Sequence, residues 1–213
     1  MSDVVSAAEA TGILNDEDAL RADIYALLAG LLRQPPDAEQ LDWLGGLETD
    51  ADGSRLTSAW QALSQAATQA TPATLERAHF RHLVGVIQGE VTPYASWYRQ
   101  GELMEAALVE LRRDLRALGF ERSAQTHEPE DHLAAICEVM AMLVTDAATP
   151  RQSRFFFQHL APWASHCFVD LAKVDSDFYA ALGELGSAFM ESEAARLQDA
   201  VSQTPVKMMT PPP

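Results

Sequence analysis

The residues best suited to chemistry by type and spacing are Glu76, His79, His82 and His132. Glu76 and His79 form one Glu-x-x-His pair, the spacing that holds di-iron centres in four-helix bundles. Such a centre needs a second pair and two more glutamates, and Glu128 with His132 has the wrong spacing. We therefore expect no bound metal. A helical metalloenzyme that uses the four residues is kept as an alternative hypothesis.

Signatures of covalent and nucleotide chemistry are missing from the sequence. It contains no Gly-x-Ser-x-Gly nucleophile elbow and no Gly-x-x-x-x-Gly-Lys phosphate loop. Cys137 and Cys167 each lie in an apolar helical stretch, and they form neither a Cys-x-x-Cys motif nor a disulfide framework. These absences count against an enzyme, and we expect neither enzymatic activity nor a cofactor. The cysteine pattern indicates a reducing compartment.

Residues 85–101 differ in character from the rest of the chain. They hold three glycines, one proline and three aromatic residues without helical periodicity, which predicts an ordered loop. Loops of this kind often carry function. The aromatic side chains are expected to pack either on the body of the protein or on a ligand, and the sequence leaves both possibilities open.

Residues 128–132 (Glu-Pro-Glu-Asp-His) stand immediately before a strong apolar helical stripe. Proline suits the first turn of a helix, and carboxylates there complement the positive end of the helix dipole. A plain helix start therefore accounts for the segment. The alternative is that Asp131 and His132 face the aromatic loop and offer a carboxylate beside a hydrogen-bonding imidazole.

Apolar residues recur at helical spacing along most of the chain, and no stretch alternates as a strand does. The pattern predicts an all-α, single-domain bundle of about eight or nine helices over residues 16–198. A flexible N-terminus (1–15) and a disordered C-terminal tail (199–213) are expected on either side. Asn15 or Asp16 is expected to cap the first helix, and Thr71 followed by Pro72 to open another.

The charge balance excludes several kinds of partner. Fifteen Lys and Arg residues against 31 Asp and Glu residues give a net charge of −16, which repels nucleic acid and anionic membranes. The same charge attracts cationic peptides, although solubility alone would also account for it. The longest apolar stretch is shorter than the roughly 20 residues of a membrane span, and the first twenty residues are unlike a secretory signal. We therefore expect a soluble, cytoplasmic protein without membrane insertion.

Two stretches resemble the TorD/DmsD/NarJ family of redox-enzyme maturation chaperones. Phe80, Leu83 and Gly85, followed by residues 93–98 (Pro-Tyr-Ala-Ser-Trp-Tyr), are similar to the family's aromatic-x-x-Leu-Phe-x-Gly sequence and its Pro-Tyr-x-Ser-x-Tyr loop. Residues 128–133, with Glu138 and Met140 farther on, are similar to the family's Glu-Pro-x-Asp-His motif, about 35 residues later. This chain departs from the pattern at Val84, where the family usually has Phe, and at Val86, where it usually has Pro.

The resemblance implies a cytoplasmic chaperone that binds the twin-arginine leader and the apoprotein of a molybdenum-cofactor oxidoreductase until the cofactor is inserted. It also implies either a monomer or a helix-exchanged homodimer, and weak guanine-nucleotide binding is a third hypothesis. Residues 92–108 are most similar to chaperones of formate dehydrogenases, with those of sulfoxide or amine-oxide reductases next. The residues that the resemblance assigns to peptide binding are Phe80, Leu83, Val84, Pro93, Tyr94, Asp131 and His132.

Overall fold

The computed structural model describes residues 15–49, 52–86, 88–121, 128–146 and 149–203. These ranges contain ten α-helices and one π-helix, and the β pairing within them is one isolated bridge. The π-helix is Phe80–Val84 and lies between α4 and α5. The α-helices are α1 (Asp16–Arg33), α2 (Ala38–Gly45), α3 (Arg55–Gln69), α4 (Pro72–His79), α5 (Ala95–Gln100), α6 (Ala106–Leu118), α7 (Leu133–Thr145), α8 (Thr149–His159), α9 (Ala164–Leu171) and α10 (Asp177–Gln203).

The prediction of an all-α bundle of about eight or nine helices is confirmed, because nine of the ten α-helices in the described ranges have seven or more residues. The tenth, the six-residue α5, forms inside segment 85–101, which the sequence predicts to be a loop. Within the described ranges, none of the helices is long and apolar enough to cross a membrane. Helix α10 continues to Gln203, into the predicted tail, while residues 1–14 and 204–213 lie outside the described residues.

Helix starts follow the capping residues that the sequence predicts. The Asn15 side chain accepts from the Asp18 N–H at 2.7 Å at the start of α1. The Thr71 hydroxyl accepts from the Thr74 N–H at 3.3 Å, and Pro72 occupies the first turn of α4. Such bonds satisfy N–H groups that have no partner inside the helix. These two helix starts are therefore local properties of the sequence.

The core lies where α1 packs along α7, and where α10 packs against α3, α9 and α8. Its largest fully buried side chains include Trp163, Tyr25 and Phe168. Gly186 allows α10 to approach α9 closely, because an added Cβ there would overlap the ring of Phe168. Burial of this apolar surface supplies the main driving force for folding.

A buried polar cluster joins the first part of α1 to α8 and α10. Arg21 donates to the Glu193 carboxylate through Nε and Nη2, at 2.6 and 2.7 Å. The Tyr25 hydroxyl donates to the same carboxylate at 3.0 Å. Arg21 Nη1 also donates to Asp18 at 2.6 Å and to Gln152 at 3.1 Å. The cluster therefore fixes this end of α1, while the other end reaches the candidate site.

Candidate functional site

The two segments that the sequence singles out lie directly against each other. Tyr94 and His132 form an isolated antiparallel bridge. The Leu133 N–H donates to the Pro93 carbonyl at 2.7 Å, which joins the loop to the first residue of α7. The backbone thus brings together two segments that are far apart in the sequence, as the chaperone resemblance implies.

Asp131 caps α5 from a distance. Its side chain is fully buried, and Oδ2 accepts from both the N–H (2.9 Å) and the hydroxyl (2.6 Å) of Ser96. The Asp131 carbonyl accepts from the Ala95 N–H at 2.9 Å. Tyr94, the residue before α5, makes no side-chain cap of its own. The first turn of α5 therefore depends on a carboxylate 35 residues later in the chain.

The Tyr94 side chain completes the contact between the two segments. Its ring packs edge-on against His132, with ring centroids 4.9 Å apart at an interplanar angle of 82°. Its hydroxyl donates to Glu128 Oε1 at 2.5 Å. Burial and the adjacent Glu128 carboxylate raise the pKa of Tyr94 well above its usual value. The phenol therefore stays protonated and acts as a hydrogen-bond donor at neutral pH.

His132 has a structural task of its own at the start of α7. Its Nδ1 accepts from the Ala134 N–H at 3.1 Å, which requires that nitrogen to be unprotonated. Burial lowers the pKa of His132 to about 4, and the positive charges of Arg33 and His79 act in the same direction, while Glu128 opposes them. The imidazole is therefore neutral at pH 7 and serves as an N-cap.

The π-helix presents two apolar side chains to solvent beside this contact. Phe80 and Val84 are 50% and 49% exposed, one turn apart, whereas Leu83 between them is buried. The Gly85 N–H donates to the Phe80 carbonyl at 2.5 Å and closes the π-turn. Gly85 has φ of +65°, a conformation that glycine adopts at little cost. Isolated π-turns of this kind occur frequently at functional sites.

The loop after the π-helix folds back onto it. The Val91 N–H donates to the His82 carbonyl at 2.8 Å, and His82 Nδ1 lies 2.8 Å from the Glu90 carboxylate. A side chain at Gly89 would overlap the His82 backbone, so this close return needs glycine. The fold-back leads the chain directly to Pro93 and Tyr94.

The seven residues predicted to bind a peptide fall into two groups. Phe80 and Val84 are exposed, and Tyr94 is partly buried. The other four are buried and hold the segments together: Leu83, Pro93, Asp131 and His132. The structure thus brings residues 93–94 and 131–132 together. The assignment of all seven to peptide binding stays a prediction, and in this conformation only the first group presents side chains to a ligand.

A groove of about 840 Å³ lies between α6 and α7, and residues 128–130 form part of its lining. Two ion pairs border it, Arg33 with Glu138 at 2.9 Å and Arg112 with Glu130 at 2.7 Å. Its apolar wall is formed by Leu115, Phe120, Ala135, Val139 and Met142. Sequence reasoning missed this groove, although one of its lining residues, Glu138, lies just after the second family-like motif.

The histidines that could serve a metal site have other partners. His79 Nε2 lies 3.3 Å from the Leu32 carbonyl, while His82 and His132 make the contacts given above. In the part of the chain that the structure describes, no group of three His, Cys, Asp or Glu side chains is placed to hold a metal ion. The metalloenzyme alternative therefore gains no support from the geometry.

Comparison with known proteins identifies the family. The family model described as "Nitrate reductase delta subunit" matches residues 49–169, more than half of the chain. The chain belongs to this family. The matched range contains the π-helix, the loop with Tyr94 and the segment 128–132, so the family segment includes the whole contact described above.

Curated relatives carry the names of chaperones. A chaperone protein TorD from Actinobacillus succinogenes is 29% identical over 111 residues, 50% of this chain and 58% of that one. A Tat proofreading chaperone DmsD from Salmonella typhimurium is 28% identical over 138 residues, 62% of this chain and 67% of that one. A TorD from Shewanella pealeana is 26% identical over 208 residues, 87% and 93% of the two chains. The resemblance to the TorD/DmsD/NarJ family is confirmed, although the chain spans only somewhat over half of the first of these relatives.

A solved structure has the same fold as this member of the nitrate reductase delta subunit family. It is a crystal structure of a protein ascribed to redox enzyme maturation, from Archaeoglobus fulgidus. The two superpose with a TM-score of 0.54 over 81% of this chain and 94% of the other, at 16% sequence identity. At this level of identity the match concerns the fold alone.

Proposed function

We propose that this protein is a cytoplasmic chaperone that binds the twin-arginine leader and the apoprotein of a molybdenum-cofactor oxidoreductase, and guards it until cofactor insertion and before export. Membership of the nitrate reductase delta subunit family supports the proposal. So do the chaperone names of the TorD and DmsD relatives. In this function the protein is a binding protein and not an enzyme.

The observation that carries the proposal is the exposure of Phe80 and Val84 on the π-helix, beside the loop that holds Tyr94. The fold itself leaves this apolar surface uncovered. Burying the two side chains against a partner would remove the surface from water, which favours binding. A leader peptide has an apolar segment that suits such a surface. Leu83 and Pro93 are buried, so in this conformation the protein itself covers their side chains.

Acidic side chains near this surface suit the arginines of a leader. Glu128, Glu130 and Glu138 all line the groove, and Glu128 also accepts a hydrogen bond from the Tyr94 hydroxyl. A carboxylate has about four lone-pair sites, so one that already holds a tyrosine or an arginine can accept further hydrogen bonds. Arginine binds carboxylates in a bidentate manner, which favours a guanidinium over an ammonium group.

The test is calorimetric titration with a synthetic peptide that contains an Arg-Arg pair followed by an apolar segment. We expect micromolar affinity, and weaker binding of the Lys-Lys counterpart. Covering the exposed half of each side chain implies that Phe80→Ser weakens binding by about tenfold and Val84→Ser by about fivefold. Circular dichroism checks that each variant is folded.

Val169→Ser is the matched control, because Val169 is 43% exposed on α9 and Val84 is 49% exposed on the π-helix. It should bind the peptide as the parent does. Equal affinities of the Val84 and Val169 variants would rule out the π-helix surface. A parent protein that binds neither the Arg-Arg nor the Lys-Lys peptide would rule out the leader-binding function.

A further inference from the structure

Met104 adopts a backbone conformation that side chains rarely take. In the part of the chain that the structure describes, it is the one residue other than glycine with positive φ, at +63°. The same connection between α5 and α6 uses glycine at Gly101, where φ is +84°. The left-handed region is disfavoured by a Cβ atom, and glycine would avoid that cost at position 104 as well.

The strained turn is held by the same network that caps α5. The Met104 N–H donates to the Ser96 hydroxyl oxygen at 3.2 Å. That hydroxyl donates to the buried Asp131 carboxylate at 2.6 Å, and Ser96 itself is fully buried. A chain of two hydrogen bonds therefore runs from Asp131 to the turn at residues 103–104. The position of the turn depends on the same carboxylate as the loop that holds Tyr94.

The side chain at the strained position contributes little to the fold. Met104 is 70% exposed and Leu103 before it is 49% exposed, so both project mainly into water. A residue that strains the backbone and leaves most of its side chain in water gives little stability in return. Strain of this kind is retained where surrounding structure enforces it, commonly at ligand-binding positions.

The surroundings of the turn indicate the chemistry of a partner. Glu102 and Glu105 flank the two apolar side chains, and both are exposed. Between residues 99 and 110 there are three glutamates and one arginine, a net charge of −2. An apolar centre with an acidic rim is complementary to a peptide that is both apolar and positively charged. Methionine also adapts to apolar partners of varied shape.

We propose that the Leu103–Met104 turn is a second docking point for the leader, which takes its apolar segment, and that Asp131 and Ser96 are positioning residues for this turn. The inference rests on the proposed function. It gives the buried Asp131 a role in binding that needs no direct contact with the peptide.

The test uses the Arg-Arg peptide with a fluorescent label, measured by anisotropy, together with urea unfolding of each variant. Met104→Gly should weaken peptide binding by about tenfold, through lost apolar contact. The same substitution should raise the urea midpoint, because it removes the backbone strain. Met104→Leu keeps an apolar side chain and should bind within about twofold of the parent. A merely structural role of Met104 could not produce tighter folding together with weaker binding.

Two further measurements test the link to Asp131 and the part of the peptide involved. Ser96→Ala should weaken binding in the parent but add little in the Met104→Gly background, since both changes remove the same contact. A shortened peptide that keeps the Arg-Arg pair and lacks the apolar segment should bind the parent and Met104→Gly equally. Leu20→Ala is the control, because Leu20 is exposed on α1 about 20 Å along the helix from Arg33.

Unchanged binding by Met104→Gly would overturn the inference, as would a loss in Met104→Leu as large as that in Met104→Gly. If Phe80→Ser still weakens binding in that case, the proposed function stands and only the second docking point fails. If the parent does not bind the Arg-Arg peptide, both are refuted.

Discussion

The neutral imidazole of His132 makes the stability of this protein sensitive to acid. Above about pH 6.5 the ring is neutral in both the folded and the unfolded chain, and it adds no pH dependence. Between pH 6.5 and the folded pKa of about 4, the unfolded chain binds a proton that the folded chain does not. The free energy of unfolding therefore falls as the pH falls through this window, and it becomes independent of this group below pH 4.

The size of the loss of stability follows from the shift in the pKa of His132. A difference of one pKa unit corresponds to about 1.4 kcal/mol, so the full window amounts to about 3 kcal/mol. Lowering the pH from 7.5 to 5 should reduce the free energy of unfolding by about 2 kcal/mol. Glu128, Asp131, Arg33 and His79 also face the ring. A variant at position 132 keeps all four of these groups, so the difference between the parent and the variant reports the imidazole.

The informative variant is His132→Asn, because asparagine can cap α7 without titrating. It loses the ring contact with Tyr94, a loss that does not depend on pH. Urea unfolding, followed by far-ultraviolet circular dichroism between pH 5 and 7.5, gives the stability of each protein. The parent should lose about 2 kcal/mol more than the variant over this range. The control is His166→Asn on the exposed side of α9, which should behave as the parent does. Parallel curves of stability against pH for the parent and His132→Asn would refute the reasoning.

Two further predictions concern the packing of α10. Glu193→Gln should cost about 3 kcal/mol in urea unfolding, because it leaves Arg21 buried without its main counter-charge; a cost below about 1 kcal/mol would show that Arg21 finds other partners. Gly186→Ala should lower stability by about 1 to 3 kcal/mol, since the new methyl group overlaps Phe168. The control is Gly30→Ala in α1, where an added Cβ meets nothing within 4 Å, and it should instead raise the thermal midpoint. Similar effects of Gly186→Ala and Gly30→Ala would argue against the close approach of α10 to α9.

The sequence predicted those parts of the fold that are specified locally. Thr71 with Pro72, and Asn15 before α1, carry their capping information within a few residues. Helix α5 was missed because its cap is the Asp131 carboxylate, 35 residues away, and the local sequence has no substitute for it. The π-turn at Phe80–Val84 was missed because it inserts into a pattern that reads as an ordinary helix.

The sequence predicted which two segments form the candidate site, but not which of their side chains are exposed. Residues 93–98 and 128–133 were expected to act together, and backbone bonds join them. The burial of Asp131 could not be predicted, because a carboxylate before a helix is ordinarily solvent-exposed. Ser96 fixes the orientation of the Asp131 side chain through two hydrogen bonds that exist only in the tertiary structure.

Exposed and buried acidic residues of this protein have different roles, which the net charge of −16 does not distinguish. Exposed glutamates such as Glu102 and Glu105 act through water, so added salt screens their attraction for a cationic leader. Asp131 is fully buried and bound to Ser96, so its contribution passes through the geometry of the loop and is hardly screened. In the proposed function, arginines of the leader would meet the surface acids first. The buried acid would then decide whether Tyr94 and the Leu103–Met104 turn are in place to receive the apolar segment that follows.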